Sequence, residues 1–333
     1  MNPPLHSNRL LSADTLLLPA GLVLMLTAAI LVPVDPVGLR RLAAFPIESL
    51  LILFIFLITG LRLKVESLGG KTLWFEHLSI VAVTQFVAAP LSALLLNQVF
   101  ALPEAWFLGI AAMCCVPTTL STAVVMTRQA DGNEMLAVLL TLALLLGGTL
   151  ITPLWFGLLV GVGTDLSMPI GGMFIKFSGL VVAPLLLGQL IRRTLLSRPP
   201  DYLKHLPSLA IILLVGLVAF QHSDPLRSLS IWNWIIFFGI ALLLHTSWMA
   251  LCWLLSSRSG HHPRNRTALV LVGSQKTLPL ALSLITMAFA TGQGAEWLSV
   301  AISYAVIHHL SQTILDSLLL PALRQSTTTP RPT

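Results

Sequence analysis

Long apolar runs, each about as long as a bilayer is thick, occupy almost the whole chain and are separated by short polar loops. A helix needs ~20 mostly apolar residues to cross the hydrocarbon. Ten stretches qualify: roughly 15–33, 42–60, 78–97, 105–127, 134–161, 170–191, 206–222, 231–255, 267–290 and 297–323. The pattern predicts an all-α membrane protein of ten transmembrane helices, with one transmembrane domain over 1–324 and no room for a soluble one. Polar residues Met1 to Asp14 lead into the first run without a small-residue cleavage site, so that run is expected to stay as a span. The tail, 325–333, is rich in Thr and Pro and is expected to be disordered.

Two of the ten stretches interrupt themselves. The fourth carries CCVPTTLST (Cys114 to Thr122) and the ninth carries GSQKTLP (Gly273 to Pro279). Proline removes a backbone donor and disfavours helix at the residue before it. Backbone polar groups in hydrocarbon must be satisfied internally, so a broken helix at membrane depth survives only against protein or water. Paired breaks in corresponding halves of a chain point to the binding site of a transporter.

Composition agrees. Of 333 residues, 56% are hydrophobic and 10% charged, against about 25% charged in soluble domains. The net charge of +6 does not indicate nucleic acid, because the positive charges are sorted by loop. With ten spans, one side collects Arg9, Arg62, Lys64, Lys71, Arg128, Arg192, Arg193, Arg198, Lys204, Arg258, Arg264, Arg266, Arg324 and Arg331, and the other only Arg40, Arg41 and Arg227. This positive-inside asymmetry predicts that both termini face the cytoplasm. Cys114, Cys115 and Cys252 all fall inside spans, without disulfide or zinc spacing, and read as small buried apolar residues.

The chain also repeats itself weakly. Gln85 answers His245, Pro46 answers Pro207, Pro19 answers Pro184 and Pro153 answers Pro321, at offsets of 160 to 168, and the two breaks lie about 160 apart. Repeat one covers about 15–161 and repeat two about 170–323. Five spans is an odd number, so the second unit begins on the opposite face, as in the inverted repeats of secondary transporters.

At the first break, Pro117 lies twelve residues in from Ala105, ~18 Å deep. Thr118, Thr119, Ser121 and Thr122 then offer hydroxyls that can cap a second half-helix or coordinate an ion, and Asn133, which with Gly132 permits the following turn, is expected beside them among the substrate- and ion-binding residues. At the second, Lys276 lies ten residues in from Arg266, ~15 Å deep, too far for its stem to snorkel. An ammonium there costs at least ~2.5 kcal/mol even on insertion scales and needs a carboxylate, carbonyls or water. Gly273, Ser274, Gln275 and Thr277 surround it. Gln85 sits mid-way along the third stretch. Glu48, His245 and Asp316 are expected proton carriers or charge partners of Lys276.

These motifs resemble the bile acid:sodium symporter superfamily, in its bacterial SBF-like branch. FLITGLRL (Phe56 to Leu63), PTTLSTAVVMTRQADGNEMLA (Pro117 to Ala137), GTLITPL (Gly148 to Leu154), PLLLGQLIRR (Pro184 to Arg193), GSQKTLPLAL (Gly273 to Leu282) and HHLSQ (His308 to Gln312) carry the resemblance over nearly the whole chain. It implies ten spans in a core and a smaller panel, crossing unwound helices 4 and 9 near the midplane, and cation-coupled movement of a small organic solute across the bacterial plasma membrane. It implies sodium ligands at Gln85, which keeps Pro90 five residues on, and at Gln275, two residues after Gly273. Leu271 stands where those relatives carry a bridging glutamate, Lys276 where they carry asparagine, and Ala123–Val124, or Ser121–Thr122 with the gap placed differently, where they carry Ser–Asn. A fixed ammonium could replace one sodium charge, or its protonation could couple transport to protons.

The leading expectation is therefore a secondary transporter for an organic anion or amphipath, working by alternating access and coupled to sodium or protons. The alternative is cation/proton exchange without an organic substrate. An enzyme is disfavoured: no HExxH or GxSxG motif is present. No cofactor is expected beyond a co-transported sodium ion, and the partners are the lipid bilayer and a small organic solute. Nothing in the pattern sets an oligomeric state.

Overall fold

The computed structural model describes residues 13–32, 46–62, 71–119, 121–164, 170–196, 199–221, 223–288 and 297–328. Among them the chain is helical throughout, with no strand. The helices are α1 (Ala13–Leu31), α2 (Ile47–Arg62), α3 (Lys71–Val83), α4 (Ala89–Phe100), α5 (Glu104–Cys115), α6 (Ser121–Gln129), α7 (Glu134–Gly163), α8 (Ile170–Phe177), α9 (Ala183–Thr194), α10 (Leu206–Gln221), α11 (Ser223–Ser228), α12 (Ile231–Arg258), α13 (Pro263–Ser274), α14 (Leu278–Ala288) and α15 (Leu298–Thr328). Arg9, Arg40, Arg41, Lys64, Arg198 and Arg331, and positions 33, 42–45, 289 and 290 of the expected spans, lie outside the described residues. Helix α15 runs on to Thr328, four residues into the expected tail.

Among the described residues seven stretches are long and apolar enough to cross a membrane: Trp74–Phe100, Glu134–Gly163, Ile170–Thr194, Asp201–Gln221, Ile231–Arg258, Pro263–Ala288 and Leu298–Arg324. Apolar helices Leu17–Leu31 and Glu104–Cys115 are shorter. The protein is thus a multi-pass membrane protein.

Proline shapes several of these stretches. A π turn, Thr84–Ala88, joins α3 to α4, and a second, Ser178–Val182, joins α8 to α9. Each runs into an Ala-Pro step, Ala89-Pro90 and Ala183-Pro184. A proline has no N–H to give back to the preceding turn, so the ladder widens there instead of continuing at i−4.

The helices sort into two packed groups. In one, α2 packs against α9 and α10, and α10 against α1. In the other, α5 packs against α4, α7, α14 and α15, and α12 against α13 and α15. The stretch Pro263–Ala288 is the most enclosed: every residue of its most apolar window is buried, against one third for Ile170–Thr194.

Backbone approach sets the α2–α9 contact. A Cβ on Gly60 would lie 2.3 Å from Leu185 O, and one on Gly188 would lie 2.3 Å from Leu57 O. Gln189 Nε2 also donates to Gly60 O at 2.5 Å. Small residues that let backbones meet are the usual means of joining helices in lipid, where apolar burial alone gives little advantage. Gly188→Leu should therefore force α2 and α9 apart and destabilise the protein by about 1–3 kcal/mol, read as a lowered thermal midpoint of the purified protein in detergent. An unchanged midpoint would show that this contact is not tight.

Candidate functional site

Both breaks are present and they meet. Helix α5 stops at Cys115, and Val116, held before Pro117, is extended with φ −70° and ψ 147°. Helix α13 stops at Ser274, and Gln275 is extended with φ −70° and ψ 149°. The chain then resumes as α6 and as α14. The two segments touch through the main chain: Thr277 N donates to Pro117 O at 3.0 Å.

Each break frees carbonyls that its own helix can no longer satisfy, and other elements supply the donors. Gln85, in the π turn after α3, points Nε2 at Val272 O, Gly273 O and Gln275 O, at 3.1, 3.0 and 2.9 Å. Gln275 O is free because Pro279, four residues on, has no N–H. Lys276 Nζ donates to Cys114 O and Val116 O, both at 3.0 Å, and to Gln85 O at 3.3 Å. Thr152 of α7 donates to Cys115 O at 2.9 Å. Gln312 of α15 clamps the peptide of Lys276, accepting from its N at 3.0 Å and donating to its O at 2.8 Å. A carboxylate was one expected partner of Lys276; three main-chain carbonyls hold it instead, with the Trp248 ring 5.0 Å from Nζ.

Asp316 has other partners. Its Oδ1 lies 2.8 Å from His245 Nε2 and its Oδ2 accepts from Gln275 Nε2 at 2.7 Å. The other ring nitrogen, His245 Nδ1, faces Ser274 O at 3.2 Å. A carbonyl can only accept and Asp316 sits against the second nitrogen. The pair therefore holds one proton beyond a neutral imidazole and a carboxylate, and is neutral as a unit.

Because Asp316 takes the amide nitrogen of Gln275, Gln275 Oε1 turns toward α6. There it lies 2.8 Å from Thr122 Oγ1 and 3.2 Å from Thr119 Oγ1, and the two hydroxyls are in contact with each other. Three side-chain oxygens from both breaks thus converge on one point, a donor set suited to a small hard cation.

A cavity opens beside them. Ile55, Phe56 and Ile211 form an apolar wall, and Thr119, Thr122, Thr277 and His309 a polar one. Several buried polar atoms here have no protein partner: Gln85 Oε1, Thr118 Oγ1 and His309 Nε2. Gln312, fixed by the main chain of Lys276, donates to His309 Nδ1 at 2.8 Å. The same Nδ1 lies 3.4 Å from Lys276 O, and Nε2 is without a protein partner on a cavity-lining side chain.

The remaining expected residues fall elsewhere. Asn133 caps α7, accepting from Leu136 N at 3.1 Å, and donates to Asn265 at 2.9 Å; it belongs to the loop rim and not to the breaks. There Arg324 pairs with Asp131 at 2.6 Å and His77 stacks on His261, whose ring is held below the usual histidine range by burial and by His77. Glu48 lies in the first described turn of α2, and its electrostatic neighbour is Lys176. Ser121 begins α6; its side chain lies outside the described residues. Thr152, Trp248, His309 and Gln312 were not singled out as site residues. The signal for the last two is spacing: His309, Gln312 and Asp316 follow i, i+3, i+7 and share one helix face.

The sequence profile of the SBF-like CPA transporter family matches residues 17–325. The chain belongs to that family. It is a member of a transporter family and not an enzyme. Its relatives include Sodium/bile acid cotransporter 7 of Danio rerio, 29% identical over 93% of this chain and 96% of that one. The corresponding protein of Mus musculus is 29% identical over 81% of each chain. Probable sodium/metabolite cotransporter BASS4 of Arabidopsis thaliana is 29% identical over 80% of this chain and 63% of its own.

If the carbonyls at the breaks need these donors, Thr152→Val, which keeps shape and removes the hydroxyl, should cost about 1–3 kcal/mol by stranding Cys115 O. The measurement is thermal unfolding beside Thr141→Val, whose hydroxyl has no partner. Equal midpoints for the two variants would refute the assignment.

Proposed function

We propose that the protein is a sodium-coupled secondary transporter that moves an organic anion or amphipathic solute by alternating access. The observation that carries this reading is the convergence of Thr119, Thr122 and Gln275 oxygens from two broken helices beside a half-apolar, half-polar cavity. The relatives named as sodium/bile acid and sodium/metabolite cotransporters support it. Sodium is carried at the Thr119–Thr122–Gln275 oxygens, with Gln85 ordering the carbonyls behind them. The solute lies against Ile55, Phe56 and Ile211, with its acceptor groups toward Thr277 and His309. Lys276, buried without a carboxylate among the described residues, gives the site a positive potential suited to an anion.

The same reading takes ten spans in two inverted five-helix repeats, forming one transmembrane domain. The like backbone angles at Val116 and Gln275 support the repeat, and the loop asymmetry of Lys and Arg supports cytoplasmic termini in a bacterial plasma membrane. A second reading, proton coupling, is favoured by the buried His245–Asp316 pair, which holds one transferable proton.

Proteoliposomes given a sodium gradient or a pH gradient separately, with a radiolabelled bile acid and a set of short organic acids as probes, test both. Sodium-driven uptake is expected, with Thr122→Val lowering it about 10–100-fold, the equivalent of losing one ligand to a charged group. Uptake driven by pH alone and abolished by Asp316→Asn would favour the second reading. Indifference to both gradients would sink coupled transport.

A further inference from the structure

The oxygens around Lys276 share an origin. Gln85 O lies in the π turn Thr84–Ala88, where the acceptor's ladder partner, five residues on, is Pro90, which has no N–H. Cys114 O and Val116 O flank the end of α5, where the ladder stops. These carbonyls are open because one proline, Pro90, and the break after α5 have removed their donors. All three can only accept, and all three lie 3.0–3.3 Å from one nitrogen. Three N–H donors require the ammonium form, since a neutral amine has two. The Trp248 face closes a further side, with its centroid 5.0 Å away, as aromatic rings do around cations. No acidic side chain pairs with Nζ among the described residues: both Asp316 oxygens are taken by His245 and Gln275.

Main-chain carbonyls converging on one positive centre are what a bare monovalent cation meets in a carbonyl-lined filter. We infer that Gln85 O, Cys114 O, Val116 O and the Trp248 face form a seat for an ammonium-sized monovalent cation, and that the ammonium of Lys276 is its tethered occupant. This seat is separate from the Thr119–Thr122–Gln275 oxygens and draws on none of their atoms. One positive charge at the meeting of the breaks is therefore built into the chain and is not exchanged with solution. In a carrier it takes the place of one diffusible ion; that consequence rests on the transport reading, and the seat itself does not.

Removing the lysine should open the seat to free cations. Full-length Lys276→Ala is unfolded thermally in choline, ammonium, potassium and sodium chloride at equal ionic strength. In choline its midpoint should fall below wild type. Ammonium or potassium should raise it by about 2–4 °C at roughly tenfold excess over the Kd, while wild type shows no difference among choline, ammonium and potassium, and any rise in sodium that comes from the Thr119–Thr122–Gln275 oxygens is common to wild type and variant. Lys276→Met, whose stem still fills the seat, should not respond. If Lys276→Ala fails to insert, Lys276→Asn leaves the seat open and serves in the same series. A midpoint for the open variant that is the same in choline, ammonium and potassium would overturn the inference, as would an equal rise in Lys276→Met. In proteoliposomes, ammonium should restore solute counterflow to Lys276→Ala but not to Lys276→Met. Absent counterflow in wild type would count against the transport reading and leave the thermal series to decide the seat.

Discussion

The cost of an unsatisfied backbone group away from water governs the core of this protein. In hydrocarbon each such group costs several kcal/mol, and the two breaks expose a cluster of them at one place. The solution is reciprocal. Lys276, from the second break, satisfies the carbonyls of the first. Gln85, whose own carbonyl receives Lys276, satisfies the carbonyls of the second. Thr152, Gln312 and His245 complete the set from three further helices. Neither break could exist alone in the membrane, so the pair must form together.

That dependence explains the arrangement around it. The most apolar window of Pro263–Ala288 is wholly buried, and its break is reached from the π turn after α3, from α12 and from α15 at once. Gly148 lets α7 close on the proline of the first break: a Cβ there would sit 2.8 Å from the Pro117 ring. The other helix group needs no such network. It is held by backbone contact at Gly60 and Gly188, and it contributes the apolar wall of the cavity through Ile55, Phe56 and Ile211.

The breaks were legible because proline, glycine and an embedded lysine are loud signals in an apolar run. Gln85 was legible for the same reason, as an isolated amide. What the sequence hid was partnership. A lysine at membrane depth suggests a carboxylate, and Asp316 was at hand, yet His245 and Gln275 hold that carboxylate. Carbonyl partners cannot be read from side-chain identity, because every residue has one. Only the loss of a ladder donor, at Pro90, at Pro279 and where α5 ends before Pro117, marks which carbonyls are free. Asn133 misled for the opposite reason: an amide beside a glycine serves a helix cap as readily as an ion site, and here it caps α7. Apolar length predicts ten spans, and among the described residues helix α5 falls short of that length by itself because the break divides its stretch.

The charges at the crossing follow from the same bonds. His245 and Asp316 share one proton and sum to zero, and Gln275 reports their state outward because its nitrogen faces Asp316 while its oxygen faces Thr119 and Thr122. Lys276 adds one positive charge that nothing acidic balances among the described residues. Three carbonyls and a ring face spread that charge but do not cancel it, and in a low-dielectric setting the remaining field reaches the cavity. An anionic group lodged near Thr277 and His309 would relieve it, whereas a small cation would find its oxygens one step away at Thr119 and Thr122. A buried positive charge next to a cation's ligands makes cation binding unfavourable until an anion is also present. In the proposed carrier the two solutes would then favour each other: the anion offsets the field that opposes the cation, and the cation strengthens the field that holds the anion.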